Sequence, residues 1–434
     1  MAKNIHEIRD AVHVFARLDS DERKILDSRA FQRLRHIHQL ALTYLVYPGA
    51  THRRFEHSLG VMELAERVFR IITADENLDD RVREVVPSGD QLAYWRRVLR
   101  MAALCHDLGH LPFSHAAEKK LLPEGRTHES LTVDLVNSDE MERIWSKVTP
   151  PLRSEDIAKL AVGPKELKHH DFSEWERILA EVIVGDSFGV DRMDYLLRDS
   201  LHAGVVYGKF DQYRLIDTLR ILPETDEESA APVLGIESGG LESAEGLLLA
   251  RYFMYSQVYL HHVRRACDFH SQDFLLSMYP DRLPTNIDDF LALTDNEVLV
   301  ELRRAVADSS HPGHDAADRI VNRRQFRVLY ERNPQDAEKN PEAGEAVYYA
   351  ACEKFGKQNF RHDRYSQGGS ATDFPVKTRD GRIVPSLAVS DVLKKLPLVN
   401  VDLVFVAPEL RDQAQKWLSE NRDEIISQVA EDEP

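Results

Sequence analysis

Three histidines and one aspartate crowd a single stretch of this chain, Leu104-Cys105-His106-Asp107-Leu108-Gly109-His110-Leu111-Pro112-Phe113-Ser114-His115. Leu99, Ala103, His106 and His110 recur at roughly helical spacing, Gly109 can stop a helix, and Pro112 cannot continue one. His106 and Asp107 are therefore expected at a helix end, where side chains can turn into a cleft. Adjacent imidazole and carboxylate form a mixed nitrogen–oxygen donor pair suited to a divalent metal. Alone, such a histidine does no more than cap a helix and favour its dipole. The metal reading needs partners from elsewhere in the chain.

Two other segments offer them. Pro48-Gly49 marks a turn, and His57, Val61, Leu64, Val68 and Ile71 follow on one helical face. His57 opens that buried stripe, either as a satisfied core residue or as a ligand. Ser173 and Glu176 have capping-box spacing before a helix. Beyond it, Asp191, Tyr195 and Asp199 fall at i, i+4 and i+8, an acid–aromatic–acid face fit to wall a polar pocket. Together His57, His106, Asp107 and Asp191 would hold Mn²⁺, Fe²⁺, Zn²⁺ or Mg²⁺ with coordination positions left open, which suits hydrolysis. His110, His115, His128 and Glu118 would then supply acid/base groups and support for the ligands. Arg54, one turn before His57, could clamp a phosphate.

The elements that must position these residues read as helices over most of the chain. Asp21 to Leu45 is helical in pattern and rich in cations (Arg29, Arg33, Arg35), and Asp75 to Gln91 reads as a surface loop. Residues 201–240 read as mostly extended or loop, and Glu242 to Met278 as one long helix. The last third differs. Phe326 to Tyr330, Ile383-Val384 and Val401 to Val406 look strand-like, Asn333 to Gly356 and Pro408 to Ile426 helical, and Tyr365 to Asp373 a loop. The expected architecture is mainly α, a helical body over 1–320 with a small α+β lobe over 321–434.

A chain of 434 residues, 43 % of them hydrophobic, can build a sizeable core. Lys plus Arg total 56 against 73 Asp plus Glu, a net charge of −17, which argues against unspecific duplex binding but not against an anionic substrate. Cys105, Cys267 and Cys352 fit neither a disulfide framework nor a zinc knuckle. The N-terminus has no apolar signal region, and the longest apolar runs are too short to span a bilayer. A cytoplasmic protein with no membrane partner is expected.

The ordered set His57, then His106-Asp107, then Asp191 resembles the HD-superfamily phosphohydrolase pattern. More narrowly, Phe31-Gln32-Arg33-Leu34-Arg35, Pro48-Gly49-Ala50, Arg54-Phe55-Glu56-His57-Ser58-Leu59-Gly60, the His106 to His115 stretch and Asp191-Arg192-Met193-Asp194-Tyr195 resemble the deoxynucleoside triphosphate triphosphohydrolases. That resemblance implies an HD-domain helical bundle and hydrolysis of a dNTP at the α-phosphate to deoxynucleoside and triphosphate. It implies a divalent metal on His57, His106, Asp107 and Asp191. His110 is implied near the α-phosphate, His115 as the acid for the 5′-oxygen, and His128 with Glu118 as an acid/base pair. Arg54 and Arg192 are implied to hold phosphates. Gln39, beside Leu40, and Asp199 would read the sugar 3′-OH, and Tyr195 would exclude a 2′-OH. A nucleotide activator and a homo-oligomer are implied as well. The chain departs from the pattern at Glu118, where Asp is usual, and at Arg192, where Lys is frequent. The 251–270 helix lacks a clear phosphate-binding Arg and base-contacting Tyr, for which Arg264 and Tyr259 are candidates. Two rival readings stay open: another HD chemistry, such as a dNMP nucleotidase or phosphodiesterase, and a nucleotide-sensing or nucleic-acid-binding module without catalysis.

Overall fold

The computed structural model describes residues 5–113, 118–227, 230–366 and 372–427. His115, expected as the general acid, lies outside the described residues. The chain is mainly helical and forms two compact units that interleave along the sequence. One comprises Met1–Met254, Asp281–Glu297 and Ser370–Leu396; the other comprises Tyr255–Pro280, Val298–Gly369 and Pro397–Pro434.

The first unit opens with an antiparallel hairpin, His6–Asp10 with Val14–Leu18. Its body is a set of helices, of which Arg54–Ile72, Gly89–Cys105, His128–Val136, Glu174–Val184 and Val190–Ala203 matter most here. The Arg54–Ile72 helix starts where Glu56 Oε1 accepts the Arg53 N–H at 2.8 Å. Of its predicted stripe, Val61, Leu64 and Val68 are at most 1 % exposed and Ile71 is half-buried. Burying each such side chain contributes roughly 1.5–3 kcal/mol, so His57 at the head of the stripe rides on a rigid element. Gly60 sits where the Val190–Ala203 helix packs against it. A Cβ at Gly60 would overlap the Asp194 carboxylate and the Arg198 guanidinium, so only glycine permits this approach.

The stretch 201–240, expected as extended or loop, holds the helix Gln212–Thr218 and two strands. They belong to a four-stranded sheet ordered Leu219–Pro223, Pro232–Glu237, Pro375–Lys377, Ile383–Pro385. The first and last pairings are antiparallel and the middle one is parallel. Residues 375–385 thus complete a sheet begun more than a hundred residues earlier.

The second unit carries an antiparallel sheet ordered Arg327–Glu331, Asn400–Val406, Phe360–Ser366. Its central strand alternates. Val404 and Val406 pack with Val347, Ala351, Ala414 and Leu418, whereas Leu403 and Phe405 pack with Ala266 and Phe326. Two single helices expected from the sequence are broken. The 242–278 stretch divides into Leu241–Met254, a π turn Tyr255–Tyr259 and His262–Met278. Its apolar content runs straight through, so periodicity does not register the extra residue of a π turn. The 333–356 stretch divides at Asn340-Pro341 into Pro334–Lys339 and Ala343–Phe355, because proline cannot donate within a helix.

Among the described residues, no helix is long and apolar enough to cross a membrane. All three cysteines are free.

Candidate metal centre

His106 is the C-cap residue of the Gly89–Cys105 helix. Its Nδ1 lies 2.8 Å from the Ala103 carbonyl oxygen. A carbonyl only accepts, so Nδ1 carries the proton and Nε2 presents a lone pair. That Nε2 is buried and makes no hydrogen bond; it faces Asp107 Oδ1 at 3.4 Å and Asp191 Oδ1 at 3.5 Å. His57 repeats the arrangement. Its Nδ1 donates to Asp194 Oδ2 at 2.7 Å, and its Nε2 lies 3.0 Å from Asp191 Oδ1 and 3.7 Å from Asp107 Oδ2. Ligand atoms of His57, His106 and Asp107 fall within 4.8 Å of one another. Lone pairs and carboxylate oxygens converging in a largely buried site repel unless a cation sits among them. Each imidazole has its outer nitrogen fixed by an acceptor and its inner nitrogen aimed at the cluster, the arrangement that orients histidine ligands. This donor set fits a divalent ion.

The electrostatics agree. Burial opposes charge on His57, but its hydrogen bonds to Asp191 and Asp194 push its pKa up to about 10. In other words, a proton occupies the place a cation would take. Burial likewise disfavours ionised Asp107, yet the Arg54 guanidinium and the neighbouring imidazoles hold it well below the usual carboxylate range. Arg54 Nη1 donates to Asp107 Oδ2 at 2.5 Å, both groups buried. Asp191 is held low against burial by the neighbouring His106 and His57 imidazoles.

Beside this cluster stands a second one. His110 Nε2 is 3.1 Å from Asp107 Oδ1, and its ring stacks on His128 with centroids 4.1 Å apart. His128 Nδ1 pairs with Glu118 Oε1 at 2.8 Å, and its Nε2 with Glu129 Oε1 at 3.2 Å. Glu118, His128 and Glu129 also lie close enough to be considered as metal ligands. With a carboxylate on each ring nitrogen, however, His128 is built to hold protons rather than to offer a lone pair. Burial opposes charge on both rings. The bond to Glu118 raises His128, while burial, Arg54 and His128 drive His110 well below the ordinary histidine range. Two stacked imidazoles with pKa values pushed apart have the properties an acid/base pair calls for.

Gln39, Leu40, Arg192, Tyr195 and Asp199 belong to the same unit as these two clusters. Asp199 Oδ1 accepts from His52 Nε2 at 2.8 Å, and His52 stacks on His202. The Gln39 N–H donates to the His52 carbonyl at 3.1 Å, and Gln39 Oε1 is buried without a hydrogen-bond partner. Leu40 is buried. Tyr195 sits one turn beyond Asp191 on the Val190–Ala203 helix. Arg192 turns its guanidinium back to the Gly185 carbonyl at 2.9 Å and to the Asp186 carbonyl. Tyr259 and Arg264 belong to the second unit, where the Arg264 guanidinium donates to the Tyr259 carbonyl.

Sequence reasoning missed the residues that hold the site in place. Asp194 is fully buried and accepts from His57, His13 and Arg198. The signal was present as the i, i+4 pair Asp194–Arg198. Thr132 Oγ1 accepts from the Gly109 N–H at 3.0 Å and donates to the His106 carbonyl at 3.2 Å, bracing the turn between the two histidines. Arg33 donates to the His110 carbonyl at 2.9 Å. Asp295 accepts from the Phe113 N–H at 2.9 Å and from His38 at 2.6 Å. The contacts of Thr132, Arg33 and Asp295 span 23 to 257 positions, and no local pattern announces them.

Residues 54–199 match the HD domain model, and residues 210–345 match the HD associated region. An uncharacterized protein of Methanocaldococcus jannaschii is 36 % identical over 271 residues, covering 60 % of this chain and 47 % of its own length. An uncharacterized Bacillus subtilis protein is 29 % identical over 384 residues, covering 84 % and 78 %. Human deoxynucleoside triphosphate triphosphohydrolase SAMHD1 is 30 % identical over 364 residues, covering 75 % of this chain and 55 % of that protein. The chain therefore spans about half the length of the archaeal and human relatives. The crystal structure of a hypothetical protein from Aquifex aeolicus superposes with a TM-score of 0.78 at 32 % identity, covering 95 % of this chain and all of that one. With the HD-domain match lying across the four converging side chains, the chain belongs to the HD superfamily of phosphohydrolases and resembles its deoxynucleoside triphosphate triphosphohydrolases.

Proposed function

We propose that the protein hydrolyses a deoxynucleoside triphosphate at the α-phosphate, releasing deoxynucleoside and inorganic triphosphate. The carrying observation is the convergence of His57, His106, Asp107 and Asp191 beside the stacked His110–His128 pair, with Arg54 at their edge. A divalent ion held by those four residues supplies the Lewis acidity that phosphoester hydrolysis calls for. The rest falls to the chain's own groups. Arg54 binds a phosphate oxygen while keeping Asp107 ionised. Water adds at the α-phosphorus, the bond to the 5′-oxygen breaks, and that oxygen leaves with a proton. We assign that proton to His115, and proton movement beside the ligand cluster to His110 and the His128–Glu118 pair. Gln39, Leu40, Tyr195 and Asp199 receive the sugar, and Arg192 assists with phosphate. The similarity to SAMHD1 supports the dNTP assignment, and a nucleotide activator and a homo-oligomer belong to the same reading.

One observation favours a shorter phosphate chain. With the Arg192 guanidinium committed to two backbone carbonyls, Arg54 is the phosphate ligand best placed at the ligand cluster. Product analysis separates the two. The protein is incubated with each dNTP, singly and mixed, plus Mn²⁺. Triphosphate with deoxynucleoside supports the proposal. Pyrophosphate or orthophosphate, or turnover of dNMP alone, replaces it.

A further inference from the structure

The hydrogen bonds behind His57 lead out of the helical body to the turn of the N-terminal hairpin. Asp194, with no exposed surface, binds His57 Nδ1 through Oδ2 at 2.7 Å and His13 Nε2 through Oδ1 at 2.6 Å. Arg198 closes the carboxylate from a third side with two bonds of 2.8 and 2.9 Å. Arg198 then reaches Asp10 Oδ2 at 2.9 Å, and Asp10 Oδ1 accepts the amides of Val12 at 2.9 Å and His13 at 2.7 Å. Turn and hub therefore form one closed, buried network.

The turn itself is strained. The Phe15 N–H bonds back to the His13 carbonyl at 2.8 Å across Val14, whose φ is +71°. That is a γ turn centred on a β-branched residue, a conformation such residues rarely adopt. Strain of this kind persists only where the surroundings over-determine it. Here they aim His13 at Asp194, and the missing Cβ of Gly60 clears the space the carboxylate needs.

We propose that the hairpin turn, through His13 and Asp194, is a positioning device for His57, so that the N-terminal hairpin is a working part of the metal centre. The carboxylate cannot rotate away from His57 Nδ1 while His13 and Arg198 hold its other edges, and the ring presents Nε2 to the cluster in one orientation. This inference rests on the metal reading above.

The test titrates Mn²⁺ calorimetrically into the full chain and records the visible spectrum of the Co²⁺-loaded protein, which reports ligand geometry. His13→Leu is expected to keep the helical circular dichroism of the parent, weaken Mn²⁺ binding about 10- to 100-fold and shift the Co²⁺ bands. His13→Gln, which retains an N–H donor at the right reach, is expected to recover most of the affinity and the parent spectrum. Arg17→Ala, which cuts the exposed Arg17–Glu7 pair of the same hairpin, is expected to change neither. His13→Leu binding like the parent, or His13→Gln as weak as His13→Leu, overturns the inference. Should His13→Leu fail to fold, Asp10→Asn decides: weaker Mn²⁺ binding supports the role of the turn, and parent affinity overturns it. If the parent binds no Mn²⁺, or binds it equally after Asp107→Ala, the metal reading falls and this one with it. If only Asp107→Ala abolishes binding, this inference alone falls.

Discussion

Two clusters of nearly the same composition lie side by side in the first unit. One gathers His57, His106, Asp107 and Asp191; the other gathers Glu118, His128 and Glu129. The difference is in what the far side of each imidazole touches. His57 and His106 have their outer nitrogens tied to Asp194 and the Ala103 carbonyl, so both inner nitrogens point at the Asp107 and Asp191 carboxylates. His128 instead has one carboxylate on each nitrogen. The first arrangement turns two ring nitrogens toward one shared point; the second engages both nitrogens of a single ring. Counting histidines and acids does not distinguish the two, whereas tracing each ring's second hydrogen bond does.

Breaking the first cluster should have the largest effect. Asp107→Ala removes a ligand and the partner of Arg54, so metal and activity are both expected to be lost while the helical spectrum persists. Unchanged metal content by elemental analysis would falsify the assignment. Breaking the second cluster should act on rate alone. His128→Gln is expected to leave metal content intact and lower kcat about 10²- to 10⁴-fold, the range for a lost proton-transfer group. Loss of metal in that variant would instead place the ion at Glu118 and Glu129.

A smaller effect sharpens the comparison through pH. The His57 proton, retained up to a pKa of about 10, competes with metal throughout the neutral range. Raising pH removes the competitor, so Mn²⁺ affinity should strengthen by about tenfold per unit between pH 6 and 8, one proton being released per ion bound. A flat profile in calorimetry would mean that His57 does not exchange its proton for the ion. The smallest effect is expected at Glu129→Gln. Its partly exposed pairing with His128 is worth about 0.2–1 kcal/mol, so kcat should change less than about fivefold. A change as large as that of His128→Gln would make Glu129, rather than Glu118, the partner that matters.

What the sequence reveals of this protein divides along the same line. The helix carrying His57, the helix end at His106 and the face carrying Asp191 are legible because apolar spacing, a glycine and a proline are local signals. The residues that fix ring orientation are not. Asp194 to His13 spans 181 positions, and Phe113 to Asp295 spans 182, distances over which one sequence carries no pattern. The interleaving of the two units is hidden for the same reason. Residues 375–385 follow the Phe360–Ser366 strand of the second unit, yet the Pro375–Lys377 strand pairs with Pro232–Glu237 of the first. The π turn at 255–259 is hidden by a different cause, an uninterrupted run of good helix formers and aromatics.

The most direct measurement is a Mn²⁺-soaked crystal with anomalous scattering recorded at the manganese edge. One strong peak bounded by His57, His106, Asp107 and Asp191 is expected, with none within ligand distance of His128. A peak among Glu118, His128 and Glu129 with none at the first cluster would contradict it.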